Sequence, residues 1–214
     1  DPARWEAAGR DDAEKASALH RLAWLLAGAR DLERTRAVVA RAVTRLPGSP
    51  ILRRIQLALT SGDRKAVEEA RAACPDDPEV WLAWIVTRVR QGGAAGELGK
   101  VLEDEVNRAV AGAAFPVETL VRAGDFLLRH GHIRPATAAA REAQKRARGL
   151  EPAYVLALSC ALAGKDLKWA RSCALAGLDY AENPRPFYTM IVRLSLAQGS
   201  IDAELVKALE YLRQ

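Results

Sequence analysis

Two histidines one residue apart, His130-Gly131-His132, are the nearest approach to a ligand pair in this 214-residue chain. Two imidazoles can hold a divalent metal, but such sites take three or four donors in fixed geometry, and no Cys, Asp or Glu stands at a spacing that completes the set. The pair reads as a solvated turn. A thiolate with an imidazole base is the next chemistry to weigh, with His20 set against Cys74, Cys160 or Cys173. A nucleophilic thiol needs a base within hydrogen-bond reach and a third group to orient it, and the sequence supplies no pattern for either. Cys160 and Cys173 fall on apolar stripes, where cysteine acts as a small hydrophobe. Gly93-Ala94-Ala95-Gly96-Glu97-Leu98-Gly99-Lys100-Val101 has the glycine content of a phosphate-binding loop. Its spacing before Gly99-Lys100 is wrong, Val101 stands where a hydroxyl must meet magnesium, and no β-strand precedes it, so it reads as a turn between helices. No catalytic residue, metal ligand or cofactor site is assigned, and the chain is read as a non-enzyme that needs no cofactor.

Binding chemistry has more to work with. Arg141, Lys145, Arg146 and Arg148 lie along one helical stretch and are able to neutralise phosphates. Glu142 and the interleaved Ala and Gln make the same stretch an ordinary solvated face. Trp24, Trp81, Trp84 and Trp169 offer stacking platforms, but all except Trp24 sit at packing spacing. The net charge of +5, from 32 basic and 27 acidic residues, is modest for a nucleic-acid binder. Nucleic acid is therefore the less favoured partner, and another protein or peptide, with an acidic segment to meet the arginines, is the more favoured.

The elements that must position these side chains are helices. Half of the residues are apolar, mostly Ala, Leu and Val, and β-hairpin turn signals between alternating runs are missing, so the expected class is all-α. In residues 16 to 49, Leu19, Leu22, Ala23 and Leu26 recur at helical spacing and Ala29-Arg30-Asp31 breaks the run. Thr35, Val39, Ala42 and Val43 then form a second stripe that Pro47 ends. This helical hairpin recurs at 50–77, 78–115, 116–150, 151–184 and 185–214. The breaks at Arg30, Gly62, Gly92, Gly131, Gly164 and Gly199 fall about 30 to 39 residues apart, the period of a stacked helical repeat. A unit this short cannot bury both of its stripes alone, so neighbours must stack into one domain over 1–214. Trp5 and Gly9-Arg10-Asp11-Asp12 read as the tail of a preceding repeat with a cap for a helix starting near Ala13. The absent initiator Met suggests a piece of a larger protein. Three cysteines without metal-type spacing favour a reducing, cytoplasmic setting, and no apolar run is long enough to span a bilayer.

Pro47 closing the first hairpin, Trp81 with Gly92, Gly124 with Gly131 and Ala136, and Ala157 with Gly164 and Ala170 resemble the tetratricopeptide repeat family. Arg36 to Val43 and Pro78-Glu79-Val80-Trp81-Leu82-Ala83-Trp84 carry a fainter likeness to the half-a-TPR repeats of RNA-processing scaffolds. The resemblance implies a right-handed α-solenoid of about six hairpins whose first helices line a concave groove. Carried over residue by residue, that face holds His20, Trp24, Gln56, Arg90, Asp125, Arg129, Tyr154 and Arg193. The Lys and Asn set with which relatives clamp a C-terminal carboxylate is absent. The function implied is a non-catalytic interaction scaffold or a regulatory or sensor arm of a bacterial-type protein. The alternatives are an RNA-processing scaffold and the repeat arm of a kinase or protease whose catalytic domain lies elsewhere. The oligomeric state is left open.

Overall fold

A computed structural model describes residues 12–28, 31–60, 63–92, 95–112 and 115–214. The breaks expected at Arg30 and Gly62, and the stretch from Trp5 to Asp11, lie outside these residues. Among the described residues every regular element is a helix and there is no strand: α1 (Asp12–Gly28), α2 (Leu32–Arg45), α3 (Pro50–Leu59), α4 (Arg64–Ala73), α5 (Pro78–Gln91), α6 (Ala95–Ala111), α7 (Val117–Arg129), α8 (Ile133–Arg146), α9 (Glu151–Ala163), α10 (Leu167–Leu178), α11 (Arg185–Gln198) and α12 (Ala203–Arg213). The chain divides into two compact units, one ending at Gln91 and the other starting at Gly92. The hairpin expected over 78–115 is shared between them, with α5 in the first unit and α6 in the second.

Helix starts follow from short side chains that satisfy otherwise unpaired amides. Asp31, Asp63, Asp166 and Asp202 each precede a second helix and accept a hydrogen bond from the amide three residues on, at Arg34, Ala66, Trp169 and Leu205 respectively. Each such cap is worth about 1 kcal/mol. Between first and second helices the chain reverses through a left-handed residue, Gly131 at φ 80° and Gly199 at φ 64°, a conformation that glycine adopts without a Cβ clash.

In the first unit α1 packs on α2, α3 on both α2 and α1, and α5 on both α4 and α3. The two stripes read from residues 16 to 49 meet here: Leu19 and Leu22 pack with Val38, Val39, Ala42, Val43 and Leu52 in one buried cluster. Trp81 and Ile85 of α5 are fully buried. In the second unit α8 takes the centre and touches α6, α7 and α9, while α10 packs on α9 and α11, and α11 on α12. Its inward residues Ala136, Ala139, Ala140 and Ala143 have no exposed surface, so small side chains set the helix spacing. Ala157 of α9 is buried to the same degree. Ala157→Leu should overpack this layer and lower stability by about 1 to 3 kcal/mol, read as a fall in melting temperature with the helical signal retained at 25 °C.

Candidate functional site

The first helices of neighbouring hairpins form one groove in each unit. In the first unit α3 and α5 enclose about 690 Å³, walled by Leu57, Ala58, Ala83 and Val86 with Arg54, Glu79 and Arg90 at the rim. The two helices are tied together by Arg54, whose Nε donates to both carboxylate oxygens of Asp77, at 3.0 and 3.1 Å. Asp77 is itself buried and accepts the amides of Val80 and Glu79 at 2.9 and 3.2 Å, so it starts α5 as well as joining it to α3. Burial alone would raise the Asp77 pKa, but the Arg54 hydrogen bond, the amides and the guanidinium charge outweigh it and hold it below 3.8. The same hydrogen bond raises Arg54 above its ordinary value against a smaller lowering by burial. Arg90 is exposed near the end of α5 and projects from this groove.

In the second unit α7 and α9 enclose about 880 Å³, with Val121, Leu128, Val155 and Leu156 as an apolar floor and Tyr180 at one side. Val155 is 46 % exposed, a large apolar surface for an uncovered helix face. Asp125 and Arg129 both reach this groove, but they are bound to each other, Nε to Oδ1 at 3.1 Å and Nη2 to Oδ2 at 2.9 Å. The Arg129 guanidinium therefore has part of its donor capacity occupied within its own helix.

The remaining expected groove residues are placed differently. Tyr154 is buried; its hydroxyl donates to the Arg148 carbonyl at 2.8 Å and its ring stacks on Tyr180 at 5.4 Å. Its adjacent residue, Val155, is the one that faces the groove, because nearly every position of α9 is apolar and periodicity could not choose its face. Gln56 accepts from Nη1 of Arg53 at 3.0 Å and does not line the α3–α5 groove. On α1 the Trp24 indole N–H donates to Nε2 of His20 at 2.7 Å, with the indole 66 % exposed. Arg193 is exposed on α11, outside the α7–α9 groove. The groove residues that sequence reasoning missed, Val86, Val121, Val155 and Tyr180, are apolar or aromatic. Nothing in their type separates them from core.

Nδ1 of His130 lies 2.8 Å from the Phe126 carbonyl and its ring packs on Phe126 at 4.2 Å. Burial first, and the His130 charge second, hold His132 below its ordinary pKa. No group of three or more His, Cys, Asp or Glu residues close enough to hold a metal occurs among the described residues. All three cysteines are free and buried, and burial pushes their thiols up, Cys160 to about 11. Thiolate is the reactive form, so none of the three should react with a maleimide at pH 7 until the fold opens; prompt labelling of a native sample would contradict this.

Two expectations need correction. Residues 95 to 101 are the first two turns of α6 rather than a turn between helices, since Glu97, Leu98 and Lys100 favour helix over the intervening glycines. Gly93 and Ala94 lie outside the described residues. The basic helix is likewise not uniformly solvated. Nε of Arg146 donates to Glu142 at 2.7 Å, and its guanidinium reaches the carbonyls of Phe115 at 3.2 Å, Gly112 at 3.3 Å and Val110. Arg141 lies over the Trp169 ring at 4.7 Å, a cation–π contact. Trp81 and Trp84 are buried, in keeping with their packing spacing.

No family model matches the chain, and no curated protein matches it. Among solved structures it is similar to YrrB, a TPR protein with an unusual peptide-binding site, at 15 % identity and a TM-score of 0.53, covering 84 % of this chain and 91 % of that one. It is similar to PilW, a widely conserved type IV pilus biogenesis factor, at 14 % identity and a TM-score of 0.53, covering 91 % and 90 %. The human IFIT1 dimer with PPP-AAAA aligns at 14 % identity over 92 % of this chain and 49 % of that one, with a TM-score of 0.41 that carries no argument. The fold is a tetratricopeptide-like, all-α helical repeat. No helix among the described residues is long and apolar enough to cross a membrane.

Proposed function

We propose that this chain is a non-catalytic protein-interaction module, a regulatory or sensor arm that holds peptide segments of a partner against the first helices of its hairpins. The observation that carries the reading is the α7–α9 groove, about 880 Å³, lined by the apolar Val121, Leu128 and Val155 together with charged Arg122, Asp125, Arg129, Glu151 and Glu182. That mixture suits a peptide whose apolar anchor meets the valines and Leu128 while its backbone and charges meet the polar side chains. The α3–α5 groove has a different character. Arg54 is engaged by Asp77, so Arg90 is the guanidinium there with its donors open to an acidic side chain or a terminal carboxylate. The peptide-binding description of YrrB agrees with this use of the fold. An RNA reading has less support, because Arg146 and Arg141 of the basic helix are committed to internal contacts.

Selection of displayed random peptides on the purified chain tests the proposal. Enriched peptides should contain large apolar side chains, and Val155→Arg should reduce their binding by roughly a hundredfold, the loss of one buried anchor. Arg90→Glu should weaken acidic peptides by about tenfold and leave neutral ones unchanged. Arg129→Glu should weaken binding less than Arg90→Glu does, because the Arg129 guanidinium is shared with Asp125. Peptides that bind the Val155→Arg and Arg90→Glu double variant as tightly as the original chain would place recognition on another surface.

A further inference from the structure

The groove between α7 and α9 has walls of opposite charge. α7 contributes Arg122, Asp125 and Arg129, the last two bound to each other. The facing wall, built by the start of α9 and the turn after α10, contributes Glu151 and Glu182 and no cation. These glutamates are neighbours, because Oε2 of Glu151 accepts the Glu182 amide at 3.1 Å. Neither carboxylate has an ion-pair partner among the described residues. Arg148 and Arg185, the basic residues closest to them in sequence, do not line the groove.

An aromatic ring stands on the same wall. Tyr180 lines the groove two residues before Glu182 and is 41 % exposed. Its ring is fixed by stacking on Tyr154, 5.4 Å away with the planes 23° apart. Gly149 lies beside it, and a Cβ built there would already touch Cδ1 of the ring, at 4.0 Å, so the missing side chain leaves that edge open to approach. A ring held in place before binding adds little ordering cost when a ligand meets it.

We infer that this wall is a pocket for an arginine side chain of the bound peptide, placed next to the apolar anchor at Val155. The inference rests on the peptide-binding reading above and names the residue that the groove selects. Tyr180 offers a π surface and Glu151 and Glu182 offer acceptors, and a planar guanidinium uses both at once, whereas a lysine ammonium brings only a compact charge. The spacing follows from α9. Val155 stands one helical turn beyond Glu151, about 6 Å along the axis. Two residues of an extended peptide span about 7 Å and point to the same side, so the arginine falls two positions from the apolar residue. The α3–α5 groove, whose open charge is Arg90, selects the opposite sign.

Displayed random peptides selected on the purified chain test this. They are first grouped by loss of binding to Val155→Ser, a neutral change that marks use of the α7–α9 groove without bias toward either charge. Peptides in that group should carry arginine two positions from a large apolar residue. In fluorescence anisotropy with synthetic copies, replacing that arginine by lysine should weaken binding by about threefold, and replacing it by glutamate by more than about tenfold. Glu182→Lys alters an exposed side chain, so it should leave the melting curve unchanged. It should nonetheless weaken the arginine peptide by about tenfold and bind the glutamate-exchanged peptide more tightly than the original chain does. Groove-dependent peptides with neutral or acidic residues in place of the arginine, or an arginine peptide indifferent to Glu182→Lys, would overturn the arginine pocket and leave the groove reading standing. A library that yields no peptide sensitive to Val155→Ser would overturn the groove reading and the arginine pocket with it.

Discussion

Gly177→Leu is expected to remove more than about 3 kcal/mol of stability and to lower the melting temperature by roughly 6 °C or more. Gly177 sits inside α10, where Phe187 of α11 lies against its backbone. A Cβ built at this position would stand 2.8 Å from Cζ and 2.9 Å from Cδ1 of the ring, with Cε1 closer still. Phe187 is itself almost fully buried, so the ring has nowhere to retreat. Gly177→Ala separates two opposed effects. Helix propensity favours alanine over glycine by about 1 kcal/mol, whereas the clash with a fixed aromatic ring costs about 1 to 3 kcal/mol, so the variant should be less stable by calorimetry. Gly124 in α7 is the internal control. The atom nearest its added Cβ is the flexible end of Leu156, at 2.6 Å, which has the freedom to turn aside, and Gly124→Ala should cost less than Gly177→Ala.

These two glycines also show how the sequence encodes the fold. Apolar periodicity, the aspartates at 31, 63, 166 and 202, and the prolines at hairpin ends are local signals, and each corresponds to a helix boundary because capping and ring constraints act within a few residues. Ala136 and Ala157, two of the residues that carry the family resemblance, are both fully buried, since a small residue on an apolar stripe lets a neighbouring helix come close. The division at Gln91 was not legible. Where one packed unit ends depends on which helices find one another, and the second helix of the 78–115 hairpin, though the least regular stretch of the sequence, carries no local signal of which neighbour it meets.

Which side chains line the two grooves was harder to read. Arg90, Asp125 and Arg129 do reach a groove, since a charge on a helix cannot be placed in the core without a partner. Tyr154 was assigned to the groove and is buried, while Val155 beside it is uncovered. A step of one residue rotates a helix face by about 100°, and in a helix as uniformly apolar as α9 no polar stripe marks which side meets water. Arg146 misleads in the opposite direction. Its charge suggests solvent, but its guanidinium satisfies backbone carbonyls around the end of α6 that have no helical partner of their own.

Asp77→Ala is expected to be the most damaging polar substitution, at about 2 to 3 kcal/mol. One carboxylate carries two functions: it caps α5 through the amides of Val80 and Glu79, and it receives Arg54 from α3. Alanine removes both, leaving the amides of a buried helix start unpaired, while Arg54 is exposed enough to be hydrated and adds little further cost. Asp77→Asn should fall between, since the amide oxygen still accepts from the Val80 N–H but the charge that holds Arg54 is gone. The pH dependence follows from the direction of the shift. The folded state holds Asp77 below 3.8, so it binds fewer protons there than the unfolded chain does, and its contribution is complete above that value and declines as pH falls through the folded pKa. Urea unfolding at pH 7 and at pH 3 should therefore show the difference between wild type and Asp77→Asn shrinking on acidification. A gap that stays constant or widens would mean that the Arg54–Asp77 pair is not what joins α3 to α5.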